Sequence, residues 1–141
     1  MTDTIFITGV VIHARHGVME HETEVGQRFV IDLELFTDLS ESSHTDRLSD
    51  TVSYSNVVAT ATAAFKNTNY KLLERAAGAV ADAILSHFPR IRAVKITVHK
   101  PHAPIAAHLI AAQRGAKIIR THDVAETLQA LRVAAAIESK R

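Results

Sequence analysis

The sequence predicts an α+β fold, an antiparallel sheet with two helices on one face plus an extra C-terminal helix. Three observations carry this reading. Apolar and polar residues alternate from Gln27 to Thr37 and again from Arg90 to Lys100, the period-2 pattern of strands with one buried face. Between these stretches, apolar residues recur at helical spacing in two separate runs. The resulting order of strand, strand, helix, helix, strand puts helices together against an antiparallel sheet rather than between parallel strands.

Thr4 to Ala14 is β-branched and apolar without helical spacing and reads as the first strand. In the second, Phe29, Ile31, Leu33 and Leu35 alternate with Arg28, Val30, Asp32 and Glu34. The intervening HGVMEHETEVG is polar and bracketed by Gly17 and Gly26, so it is expected to be a loop joining a hairpin, with no packed element. The stretch DLSESSHTDRLSDTVS is rich in side chains that compete for backbone hydrogen bonds and reads as a connection or cap. Ser53 or Ser55 can then cap a helix carrying Val57, Val58, Ala61 and Phe65. A second helix fits Lys71 to Phe88, with Leu73, Ala77, Val80, Ile84 and Phe88 as its stripe and Pro89 as its stop.

The last alternation places Val94, Ile96, Val98 and Lys100 on one face. Lys100 thus falls in line with the buried face, just before Pro101, where a lysine must either snorkel or meet a partner. Beyond it, Gly115 punctuates, 116–121 can be a strand, Asp123 is a good N-cap, and Val124, Leu128, Leu131 and Ile137 repeat at helical spacing. The expected organisation is one domain over residues 1–121, with GAKIIR as its fourth strand, and a helical extension over 122–141. A small sheet has exposed edges, and pairing them with other copies of the chain removes that liability, so a homo-oligomer is expected.

A chain of 141 residues, 47% apolar, is the size of one compact domain. Its 16 basic and 15 acidic residues contain no long run of either sign, which argues against nucleic acid or an acidic membrane as partner. No Cys is present, which excludes a disulfide scaffold and thiolate metal ligands. The N-terminus lacks a basic flank and a cleavage site, and no apolar run approaches the roughly 20 residues needed to span a bilayer, so a cytoplasmic protein is expected.

Four positions hold polar residues that a pure scaffold does not need: Glu22 in the first loop, Tyr54 at a helix start, Glu74 among Leu72, Leu73 and Ala76, and Lys100 beside Pro101. They sit in four ordered motifs. HARHGVMEHETEVGQRFVIDLEL contains H-G-x-x-x-x-E-x-x-x-G-Q-x-F at His16, Gly17, Glu22, Gly26, Gln27 and Phe29; DTVSYSNV contains D-x-x-x-Y at Asp50 and Tyr54; KLLERAA and VHKPHAPI complete the set. Over residues 4–106 the chain resembles the dihydroneopterin aldolases. The resemblance implies a tunnelling fold (T-fold), whose sheets join around a ring into a barrel, as a tetramer or a stacked octamer with sites between subunits. It implies Glu74 gripping the pterin's amino edge, Tyr54 bordering the ring from a neighbouring chain, backbone at Val52 and Leu73 completing the pocket, and Glu22 and Lys100 facing the side chain that is cut. His16, beside Gly17, is expected to line the pocket.

The chemistry suits these residue types. Cleaving the C1′–C2′ bond of 7,8-dihydroneopterin needs a base for the 2′-hydroxyl proton, and the substrate's own N5=C6 imine accepts the electron pair. Lys100, with its pKa lowered by an apolar face, can exchange those protons, Tyr54 can deliver one to C1′, and a Glu74 carboxylate can accept two parallel N–H groups. Glu22 can orient a water or the side-chain hydroxyls. Neither a metal nor another cofactor is expected. Some relatives of this fold bind zinc through three histidines, but the odd spacing of His13 and His16 on a strand points them to opposite faces. The competing readings are an epimerase acting on dihydroneopterin or its triphosphate, with Arg15, Arg28 and Lys71 as phosphate contacts, and a non-catalytic pterin-binding subunit. From about residue 106 the tail resembles the end of dihydropteroate synthases, with Arg120, Thr121 and His122 matching their R-x-H motif.

Overall fold

The computed structural model describes residues 2–101, 109, 112–114, 118 and 124–138, in two compact units, Met1–Lys100 and Pro101–Arg141. In the first unit β1 (Asp3–Ala14), β2 (Gln27–Thr37) and β3 (Ala93–His99) form an antiparallel sheet in the order β1-β2-β3. A short helix α1 (Glu20–Val25) lies between β1 and β2. Between β2 and β3 come a single helical turn α2 (Ser42–Thr45), a 3-10 turn at Leu48–Asp50, and the two long helices α3 (Tyr54–Lys66) and α4 (Leu73–His87). The second unit contains α5 (Val124–Glu138), the C-terminal helix that the apolar spacing predicts. Of the expected fourth strand only Ile118 is among the described residues, and Arg120, Thr121 and His122 lie outside them. No helix of the described residues is long and apolar enough to cross a membrane.

Strand alternation sets the layers. Phe29, Ile31, Leu33 and Leu35 are fully buried on one face of β2, and Ile12 joins them from β1. Against this face α3 lays Val57, Ala61 and Phe65, and α4 lays Ala76, Val80 and Ile84, each set at i, i+4, i+8 and each buried. Ala76 takes the fully buried place on α4 that the spacing predicted for Ala77. Ser53 caps α3, its hydroxyl accepting the Asn56 N–H at 3.4 Å. Phe65 meets Phe29 edge to face at 5.4 Å, so the helix layer and the sheet share an aromatic contact.

The α3–α4 connection is short, so the two helices run antiparallel, and each end of the unit collects particular segments. One end gathers the turn after β1, the α3–α4 connection and the last residues of β3. Gly17 N–H donates to the Tyr70 carbonyl at 2.9 Å, and Tyr70 N–H donates to His16 Nδ1 at 3.0 Å. The opposite end gathers the end of β2, the α2 region and the start of β3. There Arg90 reaches Glu41 at 3.1 Å and Asp50 at 4.0 Å, and its carbonyl accepts the Thr37 hydroxyl at 2.7 Å.

Because Phe65 is fully buried between sheet and helices, Phe65→Ala is expected to lower the free energy of unfolding by about 3–5 kcal/mol in urea titration. A loss below about 1 kcal/mol would mean that the ring does not hold the layers together.

Candidate active site

The site grows from the turn after β1. In place of the expected loop without a packed element, α1 forms, because its acidic residues suit a helix N-terminus and Glu22 turns back over it. Glu20 and Glu22 occupy the first turn, where exposed N–H groups favour negative charge. The Glu22 carboxylate accepts the Met19 N–H at 3.3 Å, the reach-back half of a capping box. Polar composition hid this helix, since its stabilisation is a cap rather than an apolar stripe.

Glu22 is buried, and three donors converge on it. Oε2 accepts from the Lys100 ammonium and from Gln27 Nε2 at 3.1 Å, and Oε1 from Met19 N–H. Side-chain exposure is 10% for Glu22 and 20% for Lys100, so the pair is largely withdrawn from solvent. Burial by itself pushes the Glu22 carboxyl up; the bonds from Lys100, Met19 and Gln27 together outweigh it and hold the group below its ordinary value of 4.5. Lys100 arrives as the strand parity requires: Val94, Ile96 and Val98 alternate inward along β3, and Lys100 continues that face. It finds a partner instead of snorkelling.

Two further residues make room for the pair. Gly17 has φ +141°, and a Cβ there would lie 2.4 Å from the Glu22 carboxyl carbon, so only glycine fits. Gln27, a member of the first motif with no role read from it, donates to Glu22 while its own Oε1 is buried without a protein partner. An uncompensated buried acceptor costs about 1–3 kcal/mol and marks a place where a water or ligand donor is favoured.

His16 lies beneath the turn, 1% exposed, against Phe65 (4.4 Å), Tyr70 (5.3 Å) and Phe29 (5.5 Å). Because Tyr70 N–H must donate to Nδ1, the proton resides on Nε2, which donates to the Phe65 carbonyl at 2.7 Å. Both nitrogens are therefore committed to backbone. One edge of the residue also borders a cleft of about 270 Å³ shared with His13, Ala14, Arg15, Lys66, Thr68 and Asn69. Desolvation is the main reason the imidazole is held below 6.5; the Phe65 carbonyl opposes it and the Lys100 charge adds to it.

The remaining sequence-selected residues divide between the two ends. Leu73 and Glu74 open α4 at the Glu22–Lys100 end, with Leu73 half-buried and Glu74 exposed in the first turn, where the helix dipole favours a carboxylate. Val52, buried, and Tyr54, 67% exposed, precede and open α3 at the opposite end. About 18 Å of helix axis lies between Tyr54 and the α3–α4 connection, at 1.5 Å per residue. Within the chain, the structure brings Glu22 and Lys100 together and leaves Tyr54 remote from them.

Comparison with known proteins follows the same motifs. The family model for dihydroneopterin aldolase (FolB) matches residues 5–119. The dihydroneopterin aldolase of Methylorubrum extorquens is 38% identical over 109 residues, 77% of this chain and 84% of the relative. That of Streptococcus pyogenes is 37% identical over 106 residues, 75% of this chain and 89% of the relative. The crystal structure of E. coli dihydroneopterin aldolase in complex with neopterin superposes with a TM-score of 0.66 at 28% identity, covering 72% of this chain and 87% of that one.

The two buried titrations predict separable losses of stability on acidification. His16 is held neutral when folded, so the unfolded chain takes up its proton first, and stability should fall as pH drops below 6.5, by at most about 1.4 kcal/mol per pH unit. Glu22 stabilises the fold above 4.5, and that contribution should disappear as pH falls through its lower folded value. Urea unfolding from pH 7.5 to 3 should show both slopes, with His16→Asn removing the upper one alone. An unchanged upper slope in that variant would show that His16 titrates normally.

Proposed function

The chain belongs to the dihydroneopterin aldolase family, and on that premise we propose that it cleaves 7,8-dihydroneopterin in the cytoplasm to 6-hydroxymethyl-7,8-dihydropterin and glycolaldehyde. This is an aldehyde-lyase step of folate biosynthesis. The observation that carries the reading is the Glu22–Lys100 pair, a withdrawn carboxylate–ammonium couple beside the α1 turn, at the same end of the unit as the start of α4 with its exposed Glu74 carboxylate.

The geometry supports the following roles. Glu74, exposed at a helix N-terminus, is placed to accept the two parallel N–H groups of the pterin's amino edge, with Leu73 backbone beside it. Glu22 and Lys100 then face the trihydroxypropyl side chain. Lys100 first passes one ammonium proton to the Glu22 carboxylate it is bonded to and, as the neutral amine, directly or through a water oriented by Glu22, takes the 2′-hydroxyl proton; the C2′–O bond becomes a carbonyl as the C1′–C2′ bond breaks. The released pair moves through C1′=C6 to N5, which is protonated, and glycolaldehyde departs. A proton delivered to C1′ and one lost from N5 restore the imine and complete 6-hydroxymethyl-7,8-dihydropterin.

Tyr54 is assigned to the C1′ proton, and its position at the far end of the subunit supports a site shared between chains. In a homo-oligomer, a tetramer or octamer, Val52 and Tyr54 of one subunit meet Glu22, Glu74 and Lys100 of the next. His16 takes no part in the chemistry; it fixes the turn that carries Gly17 and Glu22 to the α3–α4 connection that leads into Leu73 and Glu74.

Two measurements test this. Purified protein should release glycolaldehyde from 7,8-dihydroneopterin, and Lys100→Ala should lower that rate by about 10²-fold or more, the range for a lost acid–base group; absence of product from the unaltered protein would defeat the reading. Subunits carrying Lys100→Ala and subunits carrying Tyr54→Phe, each weakly active, should regain activity when unfolded and refolded together. A random mixture would form about a quarter of its sites with both native groups if the site is shared. No recovery would place both groups in one chain.

A further inference from the structure

On the sheet face away from the core, one side chain ties all three strands. Asp32 stands on β2, the central strand. Its Oδ1 accepts the Gly9 N–H of β1 at 2.8 Å, and its Oδ2 accepts from His99 Nε2 of β3 at 2.7 Å. Neither contact is part of the regular ladder. Gly9 has φ +73° and lies where the β1–β2 register shifts between Ile7 and Val10, so its N–H points out of the pairing and needs an acceptor. His99 is the last residue of β3 paired with β2, opposite Val30, and only Lys100 separates it from Pro101, which has no N–H to continue a ladder.

We propose that Asp32 and His99 are positioning residues for Lys100. Along a strand, successive side chains leave opposite faces, so holding the His99 ring on one face sets the direction in which Lys100 leaves the other. Backbone pairing ends at His99, and the Asp32–His99 bond is the restraint that stops the end of β3 from twisting away from Glu22. The same carboxylate, by closing the Gly9 bulge, fixes the strand that leads to Gly17 and α1. Both arms of the Glu22–Lys100 pair are thus referenced to one carboxylate on the central strand.

The carboxylate suits this task. The Gly9 N–H and then the His99 bond hold it below the ordinary Asp value, so it stays an ionised acceptor for both partners. It also selects the His99 tautomer with the proton on Nε2. Other charged groups on this face are His13 of β1, Arg28 and Glu34 of β2 and Lys95 of β3, the last two paired with each other at 3.4 Å. The alternation of the three strands places them there.

The inference rests on the proposed aldolase reaction, and its test includes a readout that does not. Asp32→Ala and His99→Ala should each lower kcat about 10–100-fold, the scale for a small misplacement of a reacting group, with KM within about twofold. His99→Gln, which keeps a side-chain N–H for Asp32, should recover most of the rate, and the double variant should be no worse than either single one. Independently of activity, the NMR signal of the Lys100 ε-methylene should be distinct from those of solvated lysines in the unaltered protein and in His99→Gln, and should merge with them in His99→Ala. Unchanged kcat in both alanine variants, or a Lys100 signal that stays distinct, would overturn the positioning role. Circular dichroism melting separates this from simple unfolding: equal losses of kcat in His99→Gln and His99→Ala with matched falls in Tm would also overturn it. If the unaltered protein released no glycolaldehyde, the proposed reaction would fail, while the NMR comparison would still decide whether His99 positions Lys100.

Discussion

The bond between Glu22 and Lys100 joins residues 78 positions apart and ties the first turn of the chain to the end of its last strand in this unit. Two opposite charges withdrawn from water are a costly arrangement unless their remaining hydrogen-bonding capacity is met. The fold meets it on the carboxylate side with Met19 N–H and the Gln27 amide, and makes space for it with Gly17, where a Cβ would overlap the carboxyl. His16 secures the turn from below, by bonding to backbone of both Phe65 and Tyr70. Sheet, helix pair and turn are each needed before the pair can form, so the pair reports on the whole first unit.

Much of this was legible in the sequence, for physical reasons that also mark the limits. Parity along 91–100 put Lys100 on the buried face without any knowledge of its partner, because a strand's alternation is fixed by its backbone. The strands and the two long helices were visible because each buries a regular stripe. Helix α1 was not, since its stabilisation comes from a side chain folding back onto its own N-terminus. His16 was placed at the pocket from its neighbour Gly17, but its commitment to two backbone groups some fifty residues away depends on where α3 ends, which no local pattern encodes. Gln27 stood within a motif with nothing to distinguish an amide that supports Glu22 from one on the surface. Gly9 gave no signal either: a bulge needs a partner strand before a glycine inside a strand has a meaning.

The distribution of polar residues over the two ends of the subunit has an energetic side. Val52 and Tyr54 follow the connection that Arg90 ties down through Glu41, an exposed ion pair that contributes little, and more distantly, at 4.0 Å, through the partly buried Asp50. The end with Glu22 is instead bound by buried bonds. The first unit therefore carries the Glu22–Lys100 pair at one end and, about a helix length away, a large exposed aromatic at the head of α3. An exposed tyrosine adds nothing to the stability of a lone chain; it gains a role where a second chain can cover it.

The ion pair is also asymmetric in a way that matters for chemistry. Glu22 is held by three donors and is the more buried partner, whereas an ammonium has three N–H groups on a flexible stem and needs only one of them for Glu22. If the lysine swings toward an incoming hydroxyl, the Glu22 carboxyl keeps its bonds from Met19 and Gln27. If the carboxylate had to move, Met19 and Gln27 would both lose their acceptor. Motion is thus cheaper on the lysine side, and the reaction proposed above uses it: a group that gives a proton to the fixed Glu22 carboxyl and then turns to a substrate oxygen can remove and later return protons. For such a turn the strand end that carries Lys100 must itself stay still, which is the task proposed for the bond that holds His99 from the opposite face of the sheet.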